Sequence, residues 1–196
     1  MSSSSPPRQR ILDKAMDLFY RQGYNATGIN QIISEAGVAR ASFYDHFESK
    51  EDLLVAYAME MSRRDIAEIR AEVLAKPTAQ SRFFAPLELL IPWLEATDFR
   101  GCPFQNLMAD TPPDSSRVRE VARQHSESLR TFFRELTLDL KNSEKKFSRL
   151  SPEKTATTFL LVFEGAIALC VAYRESWPVE HARVTLGHFL ESPESR

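Results

Sequence analysis

Residues 155–173 read TATTFLLVFEGAIALCVAY. As a helix this run is long enough to cross a bilayer. Glu164 and Gly165 sit at its centre, however, where a lone carboxylate is costly in lipid. No basic cluster flanks it on one side. The run is therefore expected to be a buried helix. Being apolar nearly all round, it has to be covered on several sides. A chain of 196 residues offers few such sides, so a second subunit is expected to supply part of the cover.

The rest of the chain carries helical period and no strand pattern, repeat or hairpin turn. After MSSSSPP, the residues Ile11, Leu12, Ala15, Met16, Leu18 and Phe19 line one face up to Gly23, a natural helix stop. A second short helix, INQIISEA, presents Ile29, Ile32, Ile33 and Ala36. Gly37 follows where a tight turn needs positive φ. A third, ARASFYDHF, turns Phe43 and Phe47 inward at i and i+4. Ser49-Lys50-Glu51-Asp52 has the shape of a capping box and opens a longer helix to about Leu74, broken at Lys76-Pro77. The next helix, through Phe83, Leu87, Leu90, Ile91 and Leu94, is expected to kink or break at Pro86 and Pro92. FQNLMA is a short segment bounded by turns at 100–103 and at Thr111-Pro112-Pro113-Asp114. A long amphipathic helix over 115–140 follows, then the charged loop KNSEKKFSR. Ser151 and Pro152 start the apolar helix, and a last helix spans 178–190. The fold class is all-α.

Bulk charge announces no nucleic-acid partner. The net charge is -2, and residues 1–50 hold six basic side chains (Arg8, Arg10, Lys14, Arg21, Arg40, Lys50) against five acidic ones (Asp13, Asp17, Glu35, Asp45, Glu48). Any phosphate contact must come from a few well-placed groups, with hydroxyls and backbone amides helping. The two cysteines, Cys102 and Cys170, form no CxxC pair, which argues against a disulfide scaffold or structural zinc and fits a reducing cytosol. The N-terminus lacks the apolar core of a signal peptide.

Within this frame, AGVARASFYDHFESKEDL, residues 36–53, has a clear meaning. Two short helices joined at Gly37, the second polar outside, make a helix-turn-helix. Arg40 can fork onto guanine or clamp a phosphate. Ser42 is short enough to bond either. Ala41 allows close approach and methyl contact with thymine. Tyr44 and His46 offer polar tips to a backbone. Lys50 adds a cation, and the amides of Thr27 and Gly28 open the second helix toward another phosphate.

The stretch GYNATGINQIISEAGVARASFYDHFESKEDLL resembles the helix-turn-helix of the TetR/AcrR family of bacterial regulators, whose members tend to read GYxxTS(I/V)xxIAxxAGVSxGxLYxHFxSKExL. Gly23, Tyr24, Thr27, Ile29, Ile32, Ala36, Gly37, Val38, Tyr44, His46, Phe47, Ser49, Lys50, Glu51 and Leu53 match. Ile33 stands where alanine is usual and Ala41 where glycine is common. Asp45 places a carboxylate near the phosphates, which should repel them; it reads as a solvated helix residue, with acceptance from cytosine or a pair with Arg40 as the alternatives. The resemblance implies phosphate contacts at Thr27, Tyr44, His46 and Lys50. It implies base reading at Ile29 or Asn30, Ala39, Arg40, Ala41 and Ser42. It further implies an N-terminal three-helix helix-turn-helix DNA-binding domain over 6–66, the motif itself over 29–48. A larger helical-bundle ligand-binding and dimerisation domain would follow over 78–191.

In that second domain the last two long helices are expected to form a homodimer interface through Phe159, Val162, Leu169, Val171, Leu186, Phe189 and Leu190. A twofold dimer presents two recognition helices to two half-sites. Candidate pocket residues are Phe83, Trp93, Cys102, Phe104, Asn106, Phe132, Phe163, Glu164 and Ile167, although aromatics at helical spacing also read as plain core. Glu164, a carboxylate amid apolar residues, needs a partner or a raised pKa. RGCPFQNL resembles a GC(L/P)xxN segment of one branch of the family, some of whose members sense electrophiles through a cysteine there. Cys102 is thus either a thiol sensor or a small buried hydrophobe.

The reading is a cytoplasmic homodimeric repressor on a palindromic double-stranded DNA operator. A small apolar or amphipathic effector would release it, with no cofactor, metal or membrane. The alternative is a thiol-based repressor acting through Cys102. An enzyme using Cys102, His125 or Glu164 lacks metal spacing, phosphate loop or nucleophile elbow. A protein-binding helical adaptor would differ in being insensitive to salt.

Overall fold

The structure, a computed structural model, describes residues 5–112 and 115–195. Among the described residues there are no strands. The helices are α1 (Pro7–Gln22), α2 (Ile29–Ala36), α3 (Arg40–Tyr44), α4 (Lys50–Leu74), α5 (Ala79–Ala96), α6 (Pro103–Asp110), α7 (Ser116–Ser143), α8 (Pro152–Tyr173) and α9 (Trp177–Glu191), as the all-α reading expects. The turn expected at 111–114 includes Pro113 and Asp114, which lie outside the described residues.

The chain divides into two compact units. One comprises Met1–Arg64 and Pro103–Arg123, the other Asp65–Cys102 and Gln124–Arg196. The sequence reading places residues 103–123 with the C-terminal domain, whereas here they pack with the N-terminal helices. The ties are long-range and leave no trace in local periodicity. Asp110 meets Tyr24 and Asn25, Ser115 donates to Glu51, and Arg117 pairs with Asp52.

In the first unit α1 packs on α2 and α3, burying Ile11, Leu12, Ala15, Leu18, Phe19, Ile32, Ala36 and Phe43. Gly37 lies in the left-handed region at φ 61°, ψ 43°. Its N–H donates to the Ser34 carbonyl, and that of Val38 to the Ile33 carbonyl. This closes the C-terminus of α2 in the manner of a Schellman cap. The third helix is shorter than the stretch 39–47 suggests, ending at Tyr44, although Asp45 and Phe47 N–H groups still bond to the Ala41 and Phe43 carbonyls. At the start of α4 the Ser49 hydroxyl accepts from the Asp52 N–H at 3.0 Å and donates to the Asp52 carboxylate at 2.8 Å. The expected capping box is thus half made: the carboxylate takes the hydroxyl proton.

In the second unit α8 packs on α9, and α5 lies against both. α5 begins with a capping box between Thr78 and Ser81 and runs unbroken through Pro86 and Pro92. Interior prolines cost about 3 kcal/mol or more each. Burial of Phe83, Phe84, Leu87, Leu90 and Leu94 offsets that cost and keeps the helix whole. The core is a phenylalanine cluster. Phe133 and Phe159 stack at 4.1 Å, Phe83 meets Phe159 at 5.1 Å, and Phe163 meets Phe133 at 5.3 Å. Phe147, in the loop read as charged, is also buried, on a 3₁₀ turn over Lys145–Phe147.

The Thr155 hydroxyl, in the first turns of α8, is buried with no hydrogen-bond partner among the described residues. An unsatisfied buried hydroxyl costs about 1–3 kcal/mol. Thr155→Val keeps the shape and removes the hydroxyl, so the thermal midpoint should rise by about 2–4 °C per kcal/mol recovered. A fall in the midpoint would mean that the hydroxyl has a partner.

Candidate nucleic-acid interface

The folding of α2 and α3 around Gly37 puts the apolar positions Ile32, Ala36, Phe43 and Phe47 inside. What remains outside is Gly28, Asn30, Ala39, Arg40, Ala41, Tyr44, Asp45 and His46, all exposed, with Ser42 half-buried. The structure thus brings nearly every residue singled out for DNA contact onto one helix-turn-helix. The Arg40 guanidinium donates to Asn30 Oδ1 at 3.3 Å and lies 5.8 Å from the centre of the Tyr44 ring. This joins the exposed ends of α2 and α3 into one polar surface. Asp45, offered as a partner for Arg40, is exposed and forms no ion pair with it among the described residues; the Arg40 contact goes to Asn30 instead.

Thr27 departs from expectation. Its side chain is 1% exposed, and its hydroxyl donates to the Gly23 carbonyl at 2.8 Å. Its N–H is also taken, by the Tyr24 carbonyl at 3.3 Å. With both donors turned inward, Thr27 closes the α1–α2 turn rather than facing outward. Gly28 caps α2 in an extended conformation, φ −88°, that asks nothing special of a glycine.

Lys50 is held in place. Its ammonium donates to the Tyr24 carbonyl at 2.6 Å and sits 4.1 Å over the Tyr24 ring, where partial burial lowers its pKa. An ammonium carries three N–H donors, so donors remain for a phosphate. Tyr24 itself is half-buried with its ring edge-on to Phe19, and burial followed by the Glu51 charge raises its phenol pKa. Asp110 completes this side of the head. Its Oδ2 accepts from the Tyr24 N–H at 3.2 Å, and its backbone carbonyl accepts from Asn25 Nδ2 at 2.7 Å. Sequence reasoning gives no role to Asp110, because no local signal links residues so far apart.

The candidate pocket residues are divided between the two units. Phe83, Phe132 and Phe163 belong to the phenylalanine core, with the Arg70 guanidinium over Phe132 at 4.6 Å. Ile167 and Cys102 are buried in the same unit, while Trp93 and Glu164 are half-buried there. Phe104 and Asn106 fall in the other unit. Two titratable groups of the second unit stand out beside them. Burial holds His125 neutral, its pKa lowered to about 4, and burial with the nearby Glu68 charge raises Asp65 to about 6. Asp65 sits in RRDIAEIR, which reads as surface charge, so nothing in the sequence marks it. Among the described residues no group of three or more His, Cys, Asp or Glu side chains is placed to hold a metal ion.

Of the residues expected at a subunit interface, Phe159 and Leu186 are fully buried in their own chain and Leu190 nearly so. Val162 and Phe189 are half-buried, and Leu169 and Val171 are exposed. The apolar surface that α8 leaves uncovered runs along Leu161, Gly165, Ala168, Leu169, Ala172 and Tyr173, with Leu161 at 70% and Tyr173 at 57% exposure. On α9, Trp177 and Val184 are likewise exposed. α8 is long and apolar enough, by length and composition, to cross a membrane, but one face of it is packed on α5 and α9.

Comparison with known proteins accounts for both halves of the chain. Residues 11–57 match the family described as bacterial regulatory proteins, tetR family, and residues 81–184 match the LmrA/YxaF-like transcriptional regulator C-terminal domain. The HTH-type transcriptional regulator LmrA of Bacillus subtilis (strain 168) is 30% identical, over 94% of this chain and 96% of its own. The HTH-type transcriptional repressor DhaR of Mycobacterium sp. (strain GP1) is 23% identical, over 90% of this chain and 88% of its own. Among solved structures, SCO4454, a TetR-family transcriptional regulator from Streptomyces coelicolor, superposes with a TM-score of 0.80 at 24% identity, covering 97% of this chain and 92% of that one.

Proposed function

Because the chain belongs to the TetR family of bacterial transcriptional regulators, we propose that it acts as a homodimeric repressor on a palindromic operator. The observation that carries the DNA-binding reading is the exposed surface of Asn30, Arg40, Ala41, Tyr44 and His46 on a helix-turn-helix closed by Gly37. The dimer reading rests on the uncovered apolar face of α8 and α9, centred on Leu161 and Leu169. A repressor sense is supported by the name of the relative DhaR. Acting on DNA, the protein would work in the cytoplasm.

The effector is taken to be a small apolar or amphipathic molecule bound by the second unit. The Cys102 thiol, 6% exposed, presents little surface to an electrophile, so the thiol-sensing alternative has less support. The effector would shift the population toward a conformer that no longer fits the operator spacing. The partition 6–66 for DNA binding and 78–191 for effector and dimer is retained, with 103–123 braced against the head.

The test is a gel shift of the purified protein on DNA upstream of its own gene, across a salt series, with a scrambled duplex as control. Specific retention that weakens steeply with salt is the expected result. Salt-insensitive or sequence-independent behaviour would favour the adaptor reading. With an operator in hand, Lys50→Ala should weaken binding to all sequences alike and lower the salt slope by about 1. Arg40→Ala should in addition relax preference at one base position, at a cost of about 1–3 kcal/mol. Uniform weakening by Arg40→Ala would remove its base-reading role.

A further inference from the structure

We propose that Asp110 is a positioning residue for DNA binding, acting through Tyr24 on Lys50. The inference rests on the DNA-binding reading and adds a residue from α6, which lies within the stretch matching the C-terminal domain family. Three contacts in the first unit form a continuous chain. The Asp110 carboxylate accepts from the Tyr24 N–H at 3.2 Å. The Tyr24 carbonyl accepts from the Lys50 ammonium at 2.6 Å. The Tyr24 ring lies under the same ammonium at 4.1 Å. A second anchor runs beside them, from Asn25 Nδ2 to the Asp110 carbonyl at 2.7 Å.

Gly23 supports this independently. Its φ is +85°, and a Cβ built there would lie 2.6 Å from Asp110 Oδ2. The turn therefore admits the carboxylate because residue 23 has no side chain. The ring end is fixed as well: Tyr24 packs edge-on to Phe19 at 5.6 Å, and Phe19 edge-on to Tyr57 of α4 at 5.4 Å. The Tyr24 carbonyl also accepts from the Thr27 N–H at 3.3 Å, so moving residue 24 would move the start of α2 together with Lys50.

The sign of the effect separates this role from the obvious alternative. A carboxylate in the DNA-binding unit should repel phosphates, so removing one that did nothing else should strengthen binding. A positioning residue gives the opposite sign, because Asp110→Ala lets the Gly23–Asn25 turn relax and takes Lys50 off its perch.

The experiment measures operator affinity of the full-length protein across a salt series, on a duplex selected from random DNA. Asp110→Ala, Asp110→Asn, Lys50→Ala and the double Asp110→Ala/Lys50→Ala are compared, with thermal midpoints recorded for each. Asp110→Ala should weaken binding about three- to tenfold and lower the log–log salt slope by about 1, as Lys50→Ala does. The double variant should bind no worse than Lys50→Ala alone, since both act on one contact. Asp110→Asn, which keeps an oxygen for the Tyr24 N–H, should stay within about twofold of the unsubstituted protein. An unchanged slope, additive losses, or tighter binding by Asp110→Ala would overturn the relay. A loss matched only by a lowered midpoint would overturn it too, as a folding effect. Absence of specific binding by the unsubstituted protein would instead overturn the proposed function, and the relay with it.

Discussion

Leu161→Glu is expected to split the proposed dimer and to cut operator affinity by about a hundredfold or more, the range set by losing a second linked binding event. Leu161 is the most exposed large apolar side chain of α8, on the face shared with Gly165, Ala168 and Leu169. In a twofold interface the same patch occurs on both subunits, so one substitution puts two carboxylates into the contact. Within the single chain the residue touches little, and a surface change of this kind alters stability by no more than about 0.5 kcal/mol. The variant should therefore keep its helical circular dichroism while light scattering reports half the mass. Binding to a single half-site should survive at high protein concentration. A full-mass dimer with undiminished affinity would show that the subunits meet elsewhere.

Phe159→Ala should have the largest effect on stability. Phe159 is fully buried, stacks on Phe133 at 4.1 Å with 9° between the planes, and touches Phe83 and Phe163 as well. Emptying such a site costs about 3–5 kcal/mol, because the surrounding rings relax only in part. For a chain of this size that corresponds to a fall of about 6–20 °C in the thermal midpoint. The measurement also decides between two placements of the residue. A core position lowers the midpoint at every protein concentration. An interface position, as the sequence suggests, would instead change the association constant and leave the monomer's stability nearly intact. Phe159→Leu, which keeps most of the volume, should lose much less than the alanine variant.

The contrast between Leu161 and Phe159 marks where sequence reasoning stops. Helix positions follow from signals within a few residues of each other: glycines at 23 and 37, prolines at 7 and 152, the Ser49 cap, and apolar positions three and four apart. These place α1, α2 and α4 close to where they lie. The contact surface of α3 is legible for the same reason, since burying Phe43 and Phe47 leaves Arg40, Tyr44 and His46 outside. The orientation of Thr27 is not legible in the sequence, because its hydroxyl has equally short routes outward and inward, and only the closed turn shows that the Gly23 carbonyl takes it.

By itself, then, the sequence determined the helical class, the helix-turn-helix and the family. The first two are written in local spacing, where one or two turns of chain carry the whole signal; the family follows from the resemblance of residues 23–53 to a known motif. Only the tertiary structure decided which side of α8 is core and which is left exposed. A helix apolar on every side has no phase in its pattern, so Phe159 and Leu161 read alike until α5, α7 and α9 cover one and not the other. The tertiary structure likewise decided that Asp110 belongs with Tyr24. That pairing is set by chain paths across dozens of residues, to which no local period responds.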